Sequence, residues 1–235
     1  MLSLAPMAVF ADLPVAIRRG LEMSAQLLDL DDGTLVFAEG DAADAVYAMV
    51  AGEGAVRIGS ADCRGKNLMV EVFRAGDLFG EIAVIDGGSR TADAVVSGRV
   101  RLARIGAGSF LAAVRAAPDL GLALCRMMAG RLRRTYTLLQ DATFEPLEAR
   151  LARQLLYLAA LSGLPAADGV RLGERFRQHD LADLLGTTPR SIIRILNAWR
   201  TNGALTFNAT TGQIVIVPDR LRAILAHTGT TARTE

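Results

Sequence analysis

Two stretches of the chain place chemically capable side chains at suggestive spacings. The first is Gly76–Ala92, GDLFGEIAVIDGGSRTA, where Arg90 follows Glu81 by nine positions. An arginine offers a planar fork of donors that matches a phosphate. A carboxylate accepts from a sugar hydroxyl. Backbone N–H groups at the start of a helix-like segment, Gly80–Val84, add donors suited to an anion. Glu81 and Arg90 together therefore suit a phosphate joined to a sugar. Paired with each other across a turn they make an ordinary salt bridge, and spacing alone leaves both readings open.

The second stretch is Gln178–Leu205, QHDLADLLGTTPRSIIRILNAWRTNGAL. Asp180 can cap a first helix, Leu181–Leu185, and Gly186 can end it. Thr188 can cap a second helix with Pro189 at its first position, where the missing N–H costs nothing. Ile192, Ile195, Leu196 and Trp199 make the buried stripe of that helix. Arg190, Ser191 and Arg194 fall on its outer N-terminal side. This is the helix-turn-helix plan, whose second helix reads base edges in the major groove. Arginine is suited to bidentate bonds with guanine O6 and N7. An ordinary helical hairpin with solvated arginines has the same local pattern. The next segment, Leu205–Val217 (LTFNATTGQIVIV), reads as two strands turning at Thr210–Gly212. A hairpin in that place is a wing, and it moves the reading to DNA.

Several other chemistries find no support. Cys63 and Cys125 are far apart with no CxxC, and His179 and His227 have no metal spacing. Four-cysteine zinc or iron–sulfur sites are excluded, and the cysteines read as reduced thiols of a cytosolic protein. No nucleophile–base pair is evident, so an enzyme is not expected. No apolar run reaches the roughly 18 residues of a membrane span. The apolar Met1–Phe10 lacks a basic flank, so no signal peptide is expected. The cytoplasm is the default compartment.

These motifs need elements to hold them. Residues 12–22 read as a short helix. Between Ala25 and Ile105 come short apolar runs, Leu27–Leu30, Thr34–Phe37, Val46–Val50, Ala55–Ile58, Leu68–Phe73, Ala92–Val96 and Val100–Ile105, separated by glycine turns. That pattern predicts an antiparallel sandwich or barrel. A short helix, Ala107–Ala117, is followed by one long helix from Pro118 to about Ala142. At 1.5 Å per residue it spans roughly 37 Å. Leu124, Met128, Leu132, Thr135, Leu139 and Ala142 share one face, and Arg126, Arg133 and Arg134 lie opposite. The stripe can pack on a twin helix or on the chain's own β domain. Phe144–Pro146 is a break and a plausible hinge. A further amphipathic helix follows over 147–162, then a loop over Gly163–Gly169.

The 235 residues are 51% hydrophobic and 22% charged, with a formal net charge of +1 that conceals segregation. Residues 1–117 hold 11 basic and 15 acidic side chains, 118–143 hold 4 and 2, and 144–235 hold 11 and 8. The β part is acidic and the helical tail basic, as a DNA reader requires.

The FGEIA…RTA stretch resembles the phosphate-binding cassette of cyclic-nucleotide-binding domains. The order of β-roll, cassette, long helix and winged helix-turn-helix resembles the Crp/Fnr family of bacterial transcription regulators, over roughly residues 10–225. The resemblance implies an α+β fold. Residues 1–117 would form an antiparallel, jelly-roll-like cyclic-nucleotide-binding β-roll, 118–143 a dimerisation helix, and 144–235 a winged helix-turn-helix domain. It implies a cyclic nucleotide effector, cAMP or cGMP, with no metal, haem or iron–sulfur cluster. Its partners are double-stranded DNA with a pseudo-palindromic site, RNA polymerase, and a second copy through the long helix. Arg90 would hold the cyclic phosphate. Glu81 would hold the ribose 2′-hydroxyl, within a cassette of Gly80, Glu81, Ile82 and Ala83, where Gly80 and Ala83 lend backbone groups. Thr91 would contribute a hydroxyl to the phosphate or to a guanine-type base. Thr135 would meet the base.

Three departures from the family pattern stand out. Tyr136 replaces a serine that reaches from the other subunit in well-known cAMP-responsive members. Thr91 beside the cassette arginine resembles a cGMP-selective pattern. In the recognition helix, Pro189-Arg190-Ser191 replaces the common Arg-Glu-Thr, so Arg190 stands where a glutamate usually accepts from cytosine. Arginine only donates, and a half-site other than TGTGA is expected. With Thr188, Arg190, Ser191 and Arg194 as the DNA-facing set, the resemblance implies a ligand-switched dimeric regulator. Two alternatives stay open: an effector-independent regulator with a vestigial pocket, and a nucleotide-controlled protein-interaction subunit.

Overall fold

A computed structural model describes residues 2–61 and 67–231. Cys63 and the single lysine, Lys66, lie outside the described residues. The chain forms two compact units, and the division falls between Arg134 and Thr135.

The first unit is the β-roll. A 3-10 turn (Ala8–Phe10) and α1 (Val15–Ser24) precede strands β1 (Gln26–Leu30), β2 (Leu35–Phe37), β3 (Ala45–Gly52), β4 (Ala55–Ala61) and β5 (Asn67–Phe73). There follow β6 (Leu78–Phe79), α2 (Glu81–Asp86), β7 (Asp93–Ser97), β8 (Val100–Gly106), α3 (Ala107–Ala116) and α4 (Pro118–Phe144), whose residues from Thr135 on fall in the second unit. One sheet has the order β1-β8-β3-β6 and the other β2-β7-β4-β5. The expected strands are present within one to three residues at each end. The two-residue β6, which pairs Tyr47 with Phe79, was not anticipated.

Strand β3 shows how the layers arise. Successive side chains point to opposite faces. Val46 and Ala48 enter a core with Phe10, Leu21, Ile105, Phe110, Leu120 and Leu124 from the flanking helices and strands. Tyr47 and Met49 enter a second core with Phe73, Phe79, Val96 and Leu102. Both faces of β3 are thus covered, which is why its run is continuously apolar.

The chain bends by 110° between α3 and α4. Pro118 opens α4, and the preceding Ala117 is extended, as a residue before proline prefers. Leu120 and Leu124 are buried in the β-roll core and Met127 packs on it. Farther along, Leu132, Tyr136 and Leu139 are 55%, 59% and 62% exposed. The apolar stripe read from sequence is therefore not one surface. Its first part seals the β-roll, and its later part lies open on the chain. No single helix among the described residues is long and apolar enough to cross a membrane.

The second unit holds α5 (Leu147–Ser162), β9 (Leu164–Ala166), β10 (Gly169–Arg171), α6 (Gln178–Leu185), α7 (Pro189–Thr201), β11 (Leu205–Phe207), β12 (Ile214–Ile216) and α8 (Pro218–Thr231). Its sheet has the order β11-β12-β10-β9. The expected loop at Gly163–Gly169 is instead a hairpin of two three-residue strands, with Pro165 on the edge strand β9, where its missing donor does no harm. The α4–α5 break, Glu145-Pro146, is braced. Arg153 of α5 pairs with Asp141 and, at 3.5 Å, with Glu145.

Candidate functional site

The cassette residues gather around the turn that joins β6 to α2. Gly80 has φ +74, and a Cβ there would stand 2.9 Å from Arg90 Nη1. Glycine is required both for the left-handed backbone and for the approach of the arginine. Arg90 is locked at its backbone, donating its N–H to Asp41 O and accepting from Gly40 N–H, both at 2.9 Å. Its Nη1 donates to Gly80 O (2.6 Å) and its Nη2 to Ala45 O (2.7 Å). The guanidinium carbon lies 4.2 Å from the Phe37 ring centroid. The closest carboxylate in an ion pair with it, Asp44, stands 3.9 Å away and is itself paired with Arg104 at 2.6 Å. Burial lowers the pKa of Arg90 from its ordinary value, yet a guanidinium stays charged. Its Nε is buried and has no hydrogen-bond partner.

Glu81 does not pair with Arg90. Its Oε1 accepts from Nη1 of Arg131, on α4, at 2.6 Å. The Nη2 of Arg131 donates to Leu78 O at 2.5 Å, its Nε lies 3.8 Å from Glu71 Oε2, and its guanidinium sits 4.6 Å from the Phe73 centroid. The salt bridge between Glu81 and Arg90 that spacing allowed is therefore absent, and each has found other partners. Glu81 and Arg90, 1% and 3% exposed, are the two buried charged side chains among the described residues. Ala83 is buried and Ile82 is 40% exposed. Thr91 is exposed next to Arg90. Thr135 and Tyr136 are exposed on α4 and belong to the second unit.

Arg131 and Glu71 escaped the reading of the sequence. Arg131 is one of four arginines on the long helix, and only its four-residue offset from Thr135 marks it. Glu71 is a lone acid in an apolar strand, which was a usable signal.

The second site lies on α6 and α7. Gly186 ends α6 in the left-handed region at φ 60. Asp180 acts within the helix rather than before it. The helix starts at Gln178, and the Asp180 carboxylate accepts from the Arg177 N–H at 2.7 Å. Thr188 Oγ1 accepts from the Ser191 N–H at 3.2 Å, and the two hydroxyls lie 3.0 Å apart. Thr188 and Ser191 thus set the start of α7. Arg190 and Arg194 project from it exposed, one turn apart, while Ile192, Ile195, Leu196 and Trp199 are buried. Ile193 and Asn197 are exposed at the same one-turn interval. The wing turn is knotted by Asn208, whose Oδ1 accepts from the N–H groups of Thr210 and Thr211. Arg175 stands beside that turn, where a Cβ on Gly212 would lie 3.5 Å from its guanidinium.

Comparison with known proteins matches both of the regions that carry these residues. Residues 27–117 fit the model of the cyclic nucleotide-binding domain, and residues 149–224 that of the Crp-like helix-turn-helix domain. A CRP-like cAMP-activated global transcriptional regulator of Mycobacterium tuberculosis is 28% identical over 219 residues, which are 93% of this chain and 96% of that protein. A cyclic AMP receptor protein of Thermus thermophilus is 29% identical over 184 residues, 77% of this chain and 80% of that one. Among solved structures, FixK2 from Bradyrhizobium japonicum superposes with a TM-score of 0.73 at 24% identity, covering 85% of this chain and 96% of that one.

Proposed function

Since the chain belongs to the Crp/Fnr family of transcription regulators, and not to an enzyme family, we propose that it is a homodimeric, cytoplasmic regulator whose DNA binding is controlled by a cyclic nucleotide. The observation that carries the effector is Arg90. A buried charge is costly unless paired and hydrogen-bonded, and this one rests on two carbonyl oxygens and an aromatic face with its Nε orphaned. Such a cation suits an anionic phosphate. Glu81, across Gly80, supplies the acceptor a ribose hydroxyl needs. The site fits the group, and Gly80, Glu81, Ala83, Arg90 and Thr91 would hold it. Thr135 and Tyr136 stand as the residues that would meet the base, and their hydroxyls leave cAMP and cGMP as rival effectors.

The exposed apolar half of α4 supports a dimer through that helix. Cys125, Ala129, Leu132, Tyr136, Leu139 and Thr143 recur at alternating steps of four and three, and all are exposed. That is the repeat of a two-stranded coil. Two copies present two α7 helices, so the DNA site is pseudo-palindromic with half-sites about 34 Å apart. Ligand favours one state of the dimer by binding it better. RNA polymerase is the expected protein partner of the DNA-bound dimer.

Thermal unfolding tests this reading. An effector at a hundred times its Kd adds about 2.7 kcal/mol of stability. One of cAMP and cGMP should raise the Tm of the wild type and leave that of Arg90→Ala unchanged. A wild type that responds to neither would remove the effector from the proposal. One observation favours a second reading, effector-independent DNA binding: Glu81 already has a full ionic partner in Arg131. Gel shifts without ligand separate the two, because only the second reading expects full affinity there.

A further inference from the structure

Arg131 joins the long helix to the cassette through three different elements, and its three nitrogens are divided among them. Nη1 serves Glu81 on α2, Nη2 serves the Leu78 carbonyl on β6, and Nε faces Glu71 on β5. Two carboxylates thus share one guanidinium over the face of Phe73. Glu71 has 24% of its side chain exposed and Glu81 only 1%. Arg134 and Asp77 are the other charged groups that act on Glu71. A strand position in an apolar run, NLMVEVF, is a poor place for an acid unless it has a task.

We propose that Glu71 is a positioning residue for effector binding, drawing the guanidinium of Arg131 toward β5 so that Glu81 keeps acceptor capacity for a ribose hydroxyl. This rests on the cyclic nucleotide reading of the cassette. The physical basis is competition. Arg131 donates to Glu81 most strongly when Glu81 is its sole anion. A second carboxylate divides that attraction and leaves the Glu81 oxygens less committed. Glu71 touches no part of the sugar in this scheme and acts only through Arg131.

The consequence is specific to one hydroxyl. In calorimetric titrations with cAMP, cGMP and their 2′-deoxy analogues, the wild type should favour the ribo form of its effector by about tenfold, the worth of one hydrogen bond to a carboxylate. Glu71→Gln should lose most of that preference by weakening the ribo ligand alone. Glu71→Asp, which keeps the charge, should retain it. In an Arg131→Gln background, Glu71→Gln should change nothing further. Equal weakening of ribo and deoxy ligands by Glu71→Gln would overturn the proposal, since that marks a general effect on the fold or the phosphate. An unchanged ribo preference would overturn it as well. A wild type that binds no cyclic nucleotide would instead defeat the function reading, and the role of Glu71 would fall with it.

Discussion

Arg90 and Glu81 show how one cassette treats two buried charges differently. Arg90 is held chiefly by two backbone carbonyls, and its carboxylate partner Asp44, at 3.9 Å, is shared with Arg104. Glu81 is held by a full counter-charge. An anion is thus attracted at one end of the cassette and a neutral donor tolerated at the other. Glu71 adds a measurable signature. Its pKa is raised from the ordinary 4.5, chiefly by burial, with Arg131 and Arg134 opposing. A carboxyl whose folded pKa is raised contributes most at low pH, and its contribution is lost as pH rises through the folded value. Glu71→Gln should therefore gain stability relative to wild type as pH climbs from below 4.5 towards neutrality. Melting curves across that range check it, and a variant that loses ground with rising pH would reverse the sign. The sequence displayed Glu81 and Arg90 because they share one local motif. It hid Arg131 because its partners lie 50 and 60 positions away, a relation that only folding creates.

The strands and helices were largely legible, because β3 is a continuous apolar run ended by glycine and α7 carries a period of about 3.6. The misses have physical causes. Strand β6 and the β9–β10 hairpin have two or three residues per strand, too few to show alternation. Helix α8 ends in a Thr- and Gly-rich stretch of low helix propensity. The stripe on α4 was read as one face when it serves two ends. Leu124 closes the core, while Leu132 and Leu139 remain outside it. That division predicts separable effects. Burying a leucine is worth about 1.5–3 kcal/mol, so Leu132→Ser with Leu139→Ser should convert the proposed dimer to a monomer in light scattering. The melting of the β-roll should change little, because neither side chain enters its core. A dimer that survives both changes would place the interface elsewhere.

At the scale of the molecule, the net charge of +1 is the sum of an acidic β part and a basic helical tail. The modest excess implies limited non-specific attraction to DNA, so in the proposed dimer affinity comes from two readers acting together. Phosphate contacts and base contacts then differ in their salt response. Arg175→Ala, beside the wing, should weaken binding to all sequences and lower the salt slope by about one. Arg190→Ala should cost about 1–3 kcal/mol and relax selection at one base pair. Selection from random DNA reads both, and recovery of TGTGA by the wild type would contradict the donor-only chemistry of Arg190. The fastening of α4 at Arg131 has a mechanical side. The core takes Leu120, Leu124 and Met127 from the helix, and Arg131 ties it to the cassette one turn farther on. Beyond it run 13 residues to Phe144, about 20 Å of helix. A tilt of about 5° at that fulcrum sweeps the far end by about 2 Å over this arm. In the proposed switch, leverage rather than a large motion in the pocket sets the scale.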